Sequence, residues 1–594
     1  MTYKAPLRDI QFVMNEVLDY PAHYQTFAEG QNATPDLVEA ILGEAAKFAE
    51  QVLSPLNVVG DREGCQNNDG QITTPPGFKE AYQQNIESGW PSLAFPEVYG
   101  GQALPSSLGQ VVSEMPAAAN HAFSMYTGLT LGAIATIAAH ASDDLKQRFI
   151  PTMVTGQWSG TMCLTEAHAG SDLGLLRTKA EPNADGTYSV TGSKIFISSG
   201  DHDLTDNIIH IVLARLPDAP KGVKGISLFV VPKFKVDADG NVGEFNNVRC
   251  GAIEEKMGIH GNATCVMNFD SAEAYLIGQP NKGMACMFTF INESRLGVAI
   301  SAQAHIYASF QKALNYARER LQMRAPQRKL PEKAADPIIV HPDVRRMLLT
   351  QKAFAEGGRV LNYRCAQLLD ITHGAGSEEE KQLANTLLAV FTPIAKGFLS
   401  EVSLEATSYG IQILGGHGFI KESGLEQEYR DTRITAIYEG TTGIQGLDLL
   451  GRKILGSGGK ILEPFVDEIR SFCTNNVDSA YVTETEASLN KLLDLTDIVG
   501  AAAAENPDEV NAAGVDYLMF AGYVTLAYCW ARIAKSAQTA IDNGCAGSGF
   551  YQAKLHTARF YFERILPRTQ TLATAIQSGA GNLMEIDEQY FGDC

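Results

Sequence analysis

The spacing of apolar residues changes twice along this chain, and that change limits the possible folds more than any other feature. Apolar residues recur at helical spacing over residues 36–53 and again over 128–153. From residue 160 to about 277, short β-type runs alternate with Gly, Asp, Asn and Pro; the runs are 187–191, 208–214 and 226–231. Helical spacing returns over 283–455. The order predicts a helical domain, an all-β domain and further helices.

With 594 residues, the chain is too long for a single hydrophobic core. A glycine cluster at 456–459 marks a boundary, and helical spacing continues beyond it to about residue 578. We expect an N-terminal extension (1–33), an N-terminal helical domain (34–159), a central β domain (160–280), a C-terminal helical bundle domain (281–457) and an additional helical domain (458–594). The additional domain contains the apolar run 517–531, so it should dock on the rest of the protein.

Composition excludes several classes of protein. The net charge of −21 would repel nucleic acid, and no long Lys/Arg run offsets it. The longest apolar run, 517–531, is shorter than the roughly 20 residues of a membrane span, so we expect a buried core helix there. Ten cysteines occur singly, without a CxxC pair, which is typical of reduced thiols rather than of disulfides or a metal site. The first residues lack the layout of a signal peptide, and we expect a cytoplasmic protein.

Two stretches near the β domain carry groups suited to a planar polar ligand. Residues 163–172 form a small-residue loop with hydroxyls at Thr165 and Ser171, which could hydrogen-bond the edge of a flat ring. The alternative is an ordinary turn capped by Ser171 and Asp172. In residues 194–200, Phe196 and Ser198 lie two apart and therefore on one face of a strand. The alternative for Phe196 is a place in the core.

Two further stretches lie in the second helical region. The glycines of residues 412–419 let the backbone approach a phosphate closely, although these residues alone favour a glycine helix cap. The spacing differs from a dinucleotide-binding fingerprint. In residues 437–445, Thr442 and Gln445 fit a capping box that opens a helix to about residue 455. Glu439 lies just before that helix. It is either a solvated carboxylate or a partly buried one whose raised pKa suits a general base.

Together these stretches resemble the acyl-CoA dehydrogenase family over roughly residues 34–455. Further matches occur in the family's order: Gly89-Trp90, Pro96-Glu97, residues 99–101, 145–156, 256–259 and 276–278, Tyr316-Ala317 with Arg320 and Gln322, and residues 429–431. The resemblance implies an N-terminal helical domain, a central β-barrel-like domain and a C-terminal four-helix bundle. The N-terminal arm and the segment after Gly459 resemble a longer bacterial subgroup, which includes fatty acyl-CoA and 3-methylmercaptopropionyl-CoA dehydrogenases.

The resemblance implies a role for each matching residue. Glu439 falls on the catalytic glutamate. The implied FAD contacts are Leu164, Thr165, Ser171, Phe196, Ser198, Arg320, Gln322, Gln412, Gly415, Gly416 and Thr441. The implied substrate contacts are Ser171, Asn292, Arg295 and Gly440. Gln412, Gly415 and Gly416 match a loop that reaches FAD across a subunit interface, which implies a homodimer or homotetramer.

Some positions depart from the family. The segment 422–427 lacks the usual proline and basic residue, and Gly443 replaces a larger residue. His260 stands where Arg is common, and Asn292 where Asp is common. These departures affect the details of FAD and CoA binding rather than the reaction class.

The implied reaction is the FAD-dependent α,β-desaturation of an acyl-CoA, with medium or long chains favoured. Glu439 would remove the α-proton while a hydride passes from the β-carbon to flavin N5, and an electron-transfer flavoprotein would accept the electrons. The alternatives are a 3-methylmercaptopropionyl-CoA dehydrogenase, an acyl-CoA oxidase and a non-catalytic acyl-CoA-binding scaffold. Some relatives carry the base on the helix of the CoA-binding arginine, where Ser294 stands here, so the adjacent Glu293 is the rival base.

Overall fold

The computed structural model describes residues 3–545 and 547–592. Residues 3–5 and Asn32–Gly297 form one compact unit, and Pro6–Gln31 forms a second unit with the chain from Val298 onward. The boundary between the units falls within a single long helix, Gly283–Glu319. Each unit is described by itself below.

The N-terminal arm and the first helical region consist mainly of short and medium helices. They are α1 (Leu7–Phe12), α2 (Tyr20–Tyr24), α3 (Ala28–Asn32), α4 (Pro35–Phe48), α5 (Ser54–Glu63), a hairpin of β1 (Gln66–Asn68) and β2 (Gln71–Thr73), α6 (Phe78–Glu87), α7 (Ser106–Ala119), α8 (His121–His140) and α9 (Asp143–Val154). Thr34 caps α4 through its side chain, and a proline follows at the first helical position. The cap and the proline explain why α4 begins there.

The β region contains nine strands. They are β3 (Trp158–Cys163), β4 (Lys179–Pro182), β5 (Tyr188–Ser198), β6 (Asn207–Arg215), β7 (Ile226–Pro232), β8 (Phe234–Val236), β9 (Val242–Phe245), β10 (Val248–Ile253) and β11 (Thr264–Ile277). Strands β5, β11, β7, β6 and β4 pair in a closed ring, with β10 beside β11 and β3 parallel to β6. Every residue of β7 is buried, as expected for an apolar strand covered on both faces. The predicted barrel-like β domain is confirmed.

The second helical region has three long helices and several short ones. They are α10 (Gly283–Glu319), α11 (Pro342–Asp370), α12 (Glu378–Leu414), α13 (Gly416–Phe419), α14 (Leu425–Thr432) and α15 (Thr442–Gly446), which continues as a π-helical stretch, Leu447–Ile454. The additional region contains α16 (Glu463–Asn475), α17 (Val482–Glu505), α18 (Asp508–Asp542), α19 (Ser548–Phe560), α20 (Arg568–Gln577) and α21 (Gly581–Met584). The predicted C-terminal helical domain and the extra helical region are therefore both present.

The additional helices pack against the bundle through α18, which contains the predicted apolar run. Trp530 is fully buried and donates from Nε1 to the Ala353 carbonyl of α11 at 3.1 Å. A Cβ at Gly522 would lie 2.2 Å from the Phe398 ring of α12, so a side chain larger than hydrogen would not fit there. The apolar run is thus a core helix, as expected. Two other helices, α8 and α12, are long and apolar enough to span a membrane, and most of each hydrophobic window is buried inside the protein.

The N-terminal arm is held by buried charges on α11 and α19. Asp9 forms ion pairs with Arg359 and Lys554, both of which are buried. Burial raises the pKa of Asp9, yet the two cations outweigh it and hold that pKa at about 2. Farther along the arm, His23 lies 3.0 Å from Asp370. The arm is thus an integral part of its unit.

Candidate active site

Glu439 lies in a turn of two consecutive left-handed residues. Its φ is +56°, and Gly440 follows with φ +89°. A residue with a side chain pays about 1–2 kcal/mol for this conformation, so it persists only where the surroundings enforce it. The Glu439 side chain is half-buried beside Tyr438. Burial, with a smaller contribution from the charge of Glu439, raises the pKa of Tyr438.

Three buried side chains of α12 hold the segment that leads to this turn. Lys396 Nζ donates to the Gly440 carbonyl at 2.5 Å, and Ser400 Oγ donates to the Thr435 carbonyl at 3.0 Å. Ser403 Oγ lies 2.9 Å from Thr432 Oγ1. The three side chains are four and three residues apart, and this spacing places them on one face of a helix. All three are fully buried.

The other side of the turn is fixed from α15. Fully buried Gln445 donates from Nε2 to the Glu439 carbonyl at 3.0 Å and to the Gly440 carbonyl at 3.4 Å. The helix is capped by Thr441, whose Oγ1 accepts from the Ile444 N–H at 3.3 Å. The predicted capping box at Thr442 and Gln445 is therefore wrong. Thr442 is already inside the helix and donates to Glu401, and Gln445 reaches back to the turn.

In the other unit, the loop after β3 is organised around buried Glu166. Its carboxylate accepts from the N–H groups of Arg177 and Thr178 at 2.7 and 3.0 Å and from Thr178 Oγ1 at 2.6 Å. Lys194 of β5, which is fully buried, donates to Glu166 Oε1 and to the Leu164 carbonyl, both at 2.9 Å. Burial raises the pKa of Glu166, but Lys194 and the other donors outweigh it and hold that pKa at about 2.

The loop and the end of β5 present the predicted flavin contacts. Ser171 is exposed, whereas Leu164 and Thr165 are half-buried. The neighbouring Asp172 caps a short turn by accepting from Gly174 N–H at 2.9 Å, so that part of the simpler interpretation is correct. Phe196 has φ +58° at a bulge in the β5–β11 pairing and is 60% exposed, unlike a core phenylalanine. The exposed ring and nearby hydroxyls fit a planar polar ligand.

The end of α10 meets the glycine-rich loop after α12. Arg320 Nη2 lies 3.2 Å from His417 Nε2, and Tyr316 Oη lies 3.3 Å from His417 Nδ1. Because Arg320 can only donate, Nε2 of His417 is the acceptor in this hydrogen bond. Gly415 has φ +58° and caps α12, so the helix-cap interpretation is correct. A Cβ at Gly415 or Gly416 would meet open space, so a ligand can approach that backbone, as a phosphate site requires.

The other predicted residues of these regions differ in exposure. Gln322 and Gln412 are exposed side chains, as is Asn292 of α10. Arg295 is 6% exposed, and Glu293 is half-buried. Arg295 is thus much less accessible than its predicted contact with CoA suggests.

Sequence reasoning placed Gln445 in a capping box, which is wrong, and it assigned no role to Lys194, Glu166, Lys396 or His417. Their partners are distant in the chain: Lys194 bonds a residue 28 positions away, and Lys396 one 44 positions away. One signal was available for Lys396. It is a single cation within an otherwise apolar stretch of α12. A lysine in such a stretch is fully buried only when it is paired, so the pattern indicates a specific partner for Lys396.

Comparison with known families agrees with this architecture. The chain matches the acyl-CoA dehydrogenase N-terminal domain over residues 36–157, the middle domain over 161–272 and the C-terminal domain over 281–455. It therefore belongs to the acyl-CoA dehydrogenase family and is an oxidoreductase that acts on CH–CH bonds. Residues 465–587 match the "Acetyl-CoA dehydrogenase C-terminal like" family, which places the chain among members with an extra C-terminal domain.

Individual relatives support the family assignment along the whole chain. A 3-methylmercaptopropionyl-CoA dehydrogenase of Ruegeria pomeroyi is 39% identical over 95% of this chain and 96% of its own. The broad-specificity linear acyl-CoA dehydrogenase FadE5 of Mycobacterium tuberculosis is 33% identical over 99% of this chain and 100% of its own. An acyl-CoA dehydrogenase of Bacillus anthracis, solved with FAD, has a TM-score of 0.72 at 21% identity and covers 92% of this chain and 88% of its own.

The cofactor is FAD, and the residues of this chain fit it. The exposed Phe196 ring and the hydroxyls of Thr165 and Ser171 suit the flavin ring, and the Arg320 guanidinium with the open backbone at Gly415 suits the phosphates. The groups suited to a planar heterocycle lie in one unit, and those suited to a diphosphate lie in the other.

Proposed function

We propose that this protein desaturates linear acyl-CoA thioesters between the α- and β-carbons, with Glu439 as the base. The observation that carries the proposal is the turn of Glu439. The Glu439 backbone is held in a left-handed conformation, and buried donors bind the carbonyls of Glu439 and Gly440. The carboxylate therefore projects from a fixed point, as proton abstraction requires. Strained residues cluster at functional sites.

In this mechanism Glu439 takes the α-proton as the α,β double bond forms. FAD, when bound, supplies the acceptor for the hydride that leaves the β-carbon. Leu164, Thr165, Ser171, Phe196 and Ser198 would hold the flavin.

Five further residues would hold the remainder of FAD. Arg320 and Gln322 would bind its phosphate and adenosine end, and Gln412, Gly415 and Gly416 would reach FAD across the subunit interface of the proposed oligomer. The Thr441 hydroxyl, which accepts within its own cap, keeps its hydrogen for a ligand.

The thioester must be oriented and its carbonyl polarised, because negative charge develops there as the proton leaves. Backbone N–H groups at the Glu439 turn would serve as donors. Asn292, Arg295, Ser171 and Gly440 would bind the CoA substrate. An electron-transfer flavoprotein would reoxidise the enzyme in the cytoplasm. We further propose a homodimer or homotetramer.

Two substrate classes are proposed. Medium- or long-chain linear acyl-CoAs follow from the resemblance to fatty acyl-CoA dehydrogenases. The identity of 39% with a 3-methylmercaptopropionyl-CoA dehydrogenase favours that thioether-containing thioester as the second candidate.

The experiment is an anaerobic titration of the purified yellow protein with acyl-CoAs from short to long chains and with 3-methylmercaptopropionyl-CoA. Each substrate should bleach the flavin absorbance and yield one 2-enoyl-CoA per flavin. The ratio of kcat/KM values across the panel decides between the two substrate classes. Rapid oxygen consumption without an added acceptor would indicate an oxidase instead, and a colourless or unbleached protein would contradict the proposal.

A further inference from the structure

The face of α12 that carries Lys396, Ser400 and Ser403 contains one residue, Lys396, whose presence packing alone does not explain. Lys396 is fully buried among the apolar residues of α12, including Phe391 and Phe398. Burial of an ammonium group is costly, and an apolar side chain of similar length would fill the same space. The lysine at this position is therefore explained by a bond that only a donor can make.

That bond is formed directly beside Glu439. Lys396 Nζ donates to the Gly440 carbonyl at 2.5 Å, and Gln445 Nε2 donates to the Glu439 carbonyl at 3.0 Å. The two successive carbonyls of the turn thus point toward donors in the interior of the bundle. Fixing the carbonyl direction of a peptide also fixes the plane of that peptide, because the unit is rigid. The backbone from which the Glu439 side chain projects is consequently set from both sides.

The remaining contacts of this face explain how α12 defines the path of the chain before the turn. Ser400 and Ser403, one and two helical turns along the same face, bind the backbone at Thr435 and the hydroxyl of Thr432. The neutral serines bind the segment before the turn, and the longer, charged Lys396 binds the turn itself. A charged donor forms a stronger hydrogen bond than a neutral one. The stronger bond suits the turn because a left-handed conformation is strained and would otherwise relax.

We propose that Lys396 is a positioning residue that, together with Gln445, holds the Glu439–Gly440 turn in the left-handed conformation needed for proton abstraction. This inference rests on the proposed role of Glu439. Lys396 acts through the Gly440 carbonyl. Its loss should slow the chemical step of the folded enzyme while FAD stays bound.

The test compares Lys396→Met, which keeps length but removes the donor, with Lys396→Gln, which keeps a neutral donor. The limiting rate of anaerobic flavin reduction per bound flavin should fall on the order of 10–10²-fold in Lys396→Met, the scale of a small misplacement of a catalytic group. Lys396→Gln should recover part of the rate. Acyl-CoA affinity and flavin content should change much less. A crystal structure of Lys396→Met should show residue 439 outside the left-handed region.

Lys453 offers a matched control. Its ammonium donates at 2.7 Å to the Ala389 carbonyl of α12, which the proline at position 393 leaves without its helical N–H partner. The same ammonium also pairs with Asp448 at 3.2 Å. Lys453→Met should lower the melting temperature but leave the reduction rate per flavin unchanged. If Lys396→Met does not fold, Gln445→Met decides, because it removes the neutral donor to the same turn.

Wild-type reduction rates per flavin in the folded Lys396 and Gln445 variants would overturn the inference. Glu439→Gln is measured alongside them. If that variant is slow while the positioning variants are normal, only this inference fails. If Glu439→Gln reduces flavin at the wild-type rate, the proposed function and this inference both fail.

Discussion

Two buried lysines each hold a short functional segment, one in each unit, and they do so with different chemistry. Lys194 pairs with the Glu166 carboxylate, which also binds three other donors, and the group secures the loop that carries Thr165 and Ser171. Lys396 binds the backbone carbonyl of Gly440, next to Glu439. The first arrangement ties a whole loop to a strand through charge. The second fixes the orientation of one peptide.

The two lysines should therefore affect different properties of the protein: Lys194 its stability, and Lys396 the orientation of the Glu439–Gly440 turn. A buried ion pair that loses one partner leaves an uncompensated charge, which is strongly destabilising. A carbonyl that loses its donor leaves only a neutral polar group, which costs less. We therefore expect the Lys194 pair to determine whether the loop that carries Thr165 and Ser171 is folded, and Lys396 to determine how fast a folded enzyme reacts.

The largest expected loss of stability follows Lys194→Met. The substitution leaves Glu166 buried without its cation and should lower the free energy of unfolding by about 3–5 kcal/mol. FAD content should fall with it because the loop is released. Chemical denaturation and the flavin-to-protein absorbance ratio measure the two effects. Lys194→Met combined with Glu166→Gln should recover much of the stability. A single variant as stable as wild type would contradict the assigned role of the pair.

A smaller loss is expected for Lys396→Met, because the Gly440 carbonyl, a neutral group, loses its shorter hydrogen bond and keeps the longer one from Gln445. The free energy of unfolding should fall by about 1–3 kcal/mol, and the flavin content should stay near that of wild type. Denaturation under the same conditions as for Lys194→Met gives a direct comparison. A cost equal to that of Lys194→Met would remove the distinction between the two lysines.

The smallest effect is expected at a partly exposed cation, His260. Its Nδ1 lies 2.9 Å from Asp61 Oδ1, and its Nε2 lies 2.7 Å from the Lys256 carbonyl. The hydrogen bond to Asp61 is the main cause that raises the pKa of His260 from 6.5 to about 9. The folded-state pKa is the higher one, so the stabilisation is fully present below pH 6.5 and is lost as the pH rises through 9. Solvent screening limits it to about 1 kcal/mol.

His260→Asn should therefore reduce stability at pH 6 and have little effect at pH 10. Melting temperatures of the variant and the wild type across this range measure the change. An equal difference at both pH values would show that the ion pair does not stabilise the protein.

The sequence was sufficient for the order of the helical and β regions, because that order depends on local patterns. The continuous apolar run of β7 and the helical spacing of α12 are examples. The Thr442 capping box failed because Thr441 fits the same local pattern one residue earlier. Lys194, Glu166 and Lys396 were missed because their bonds join distant residues. The left-handed φ of Phe196 and Glu439 was not predictable either, since tertiary contacts impose it against local preference.

The central claim is that Glu439 removes the α-proton, and anaerobic stopped-flow reduction of Glu439→Gln and Glu293→Gln tests it most directly. Glutamine keeps the size and hydrogen bonding of glutamate without its basicity. Glu439→Gln should fold, retain FAD and bind acyl-CoA, yet reduce flavin about 10²–10⁴-fold more slowly or worse, the scale of a missing general base. Glu293→Gln should remain within about tenfold of wild type, because a neighbouring residue that does not accept the proton contributes no such factor. Slow reduction in Glu293→Gln together with rapid reduction in Glu439→Gln would contradict the account and place the base on α10.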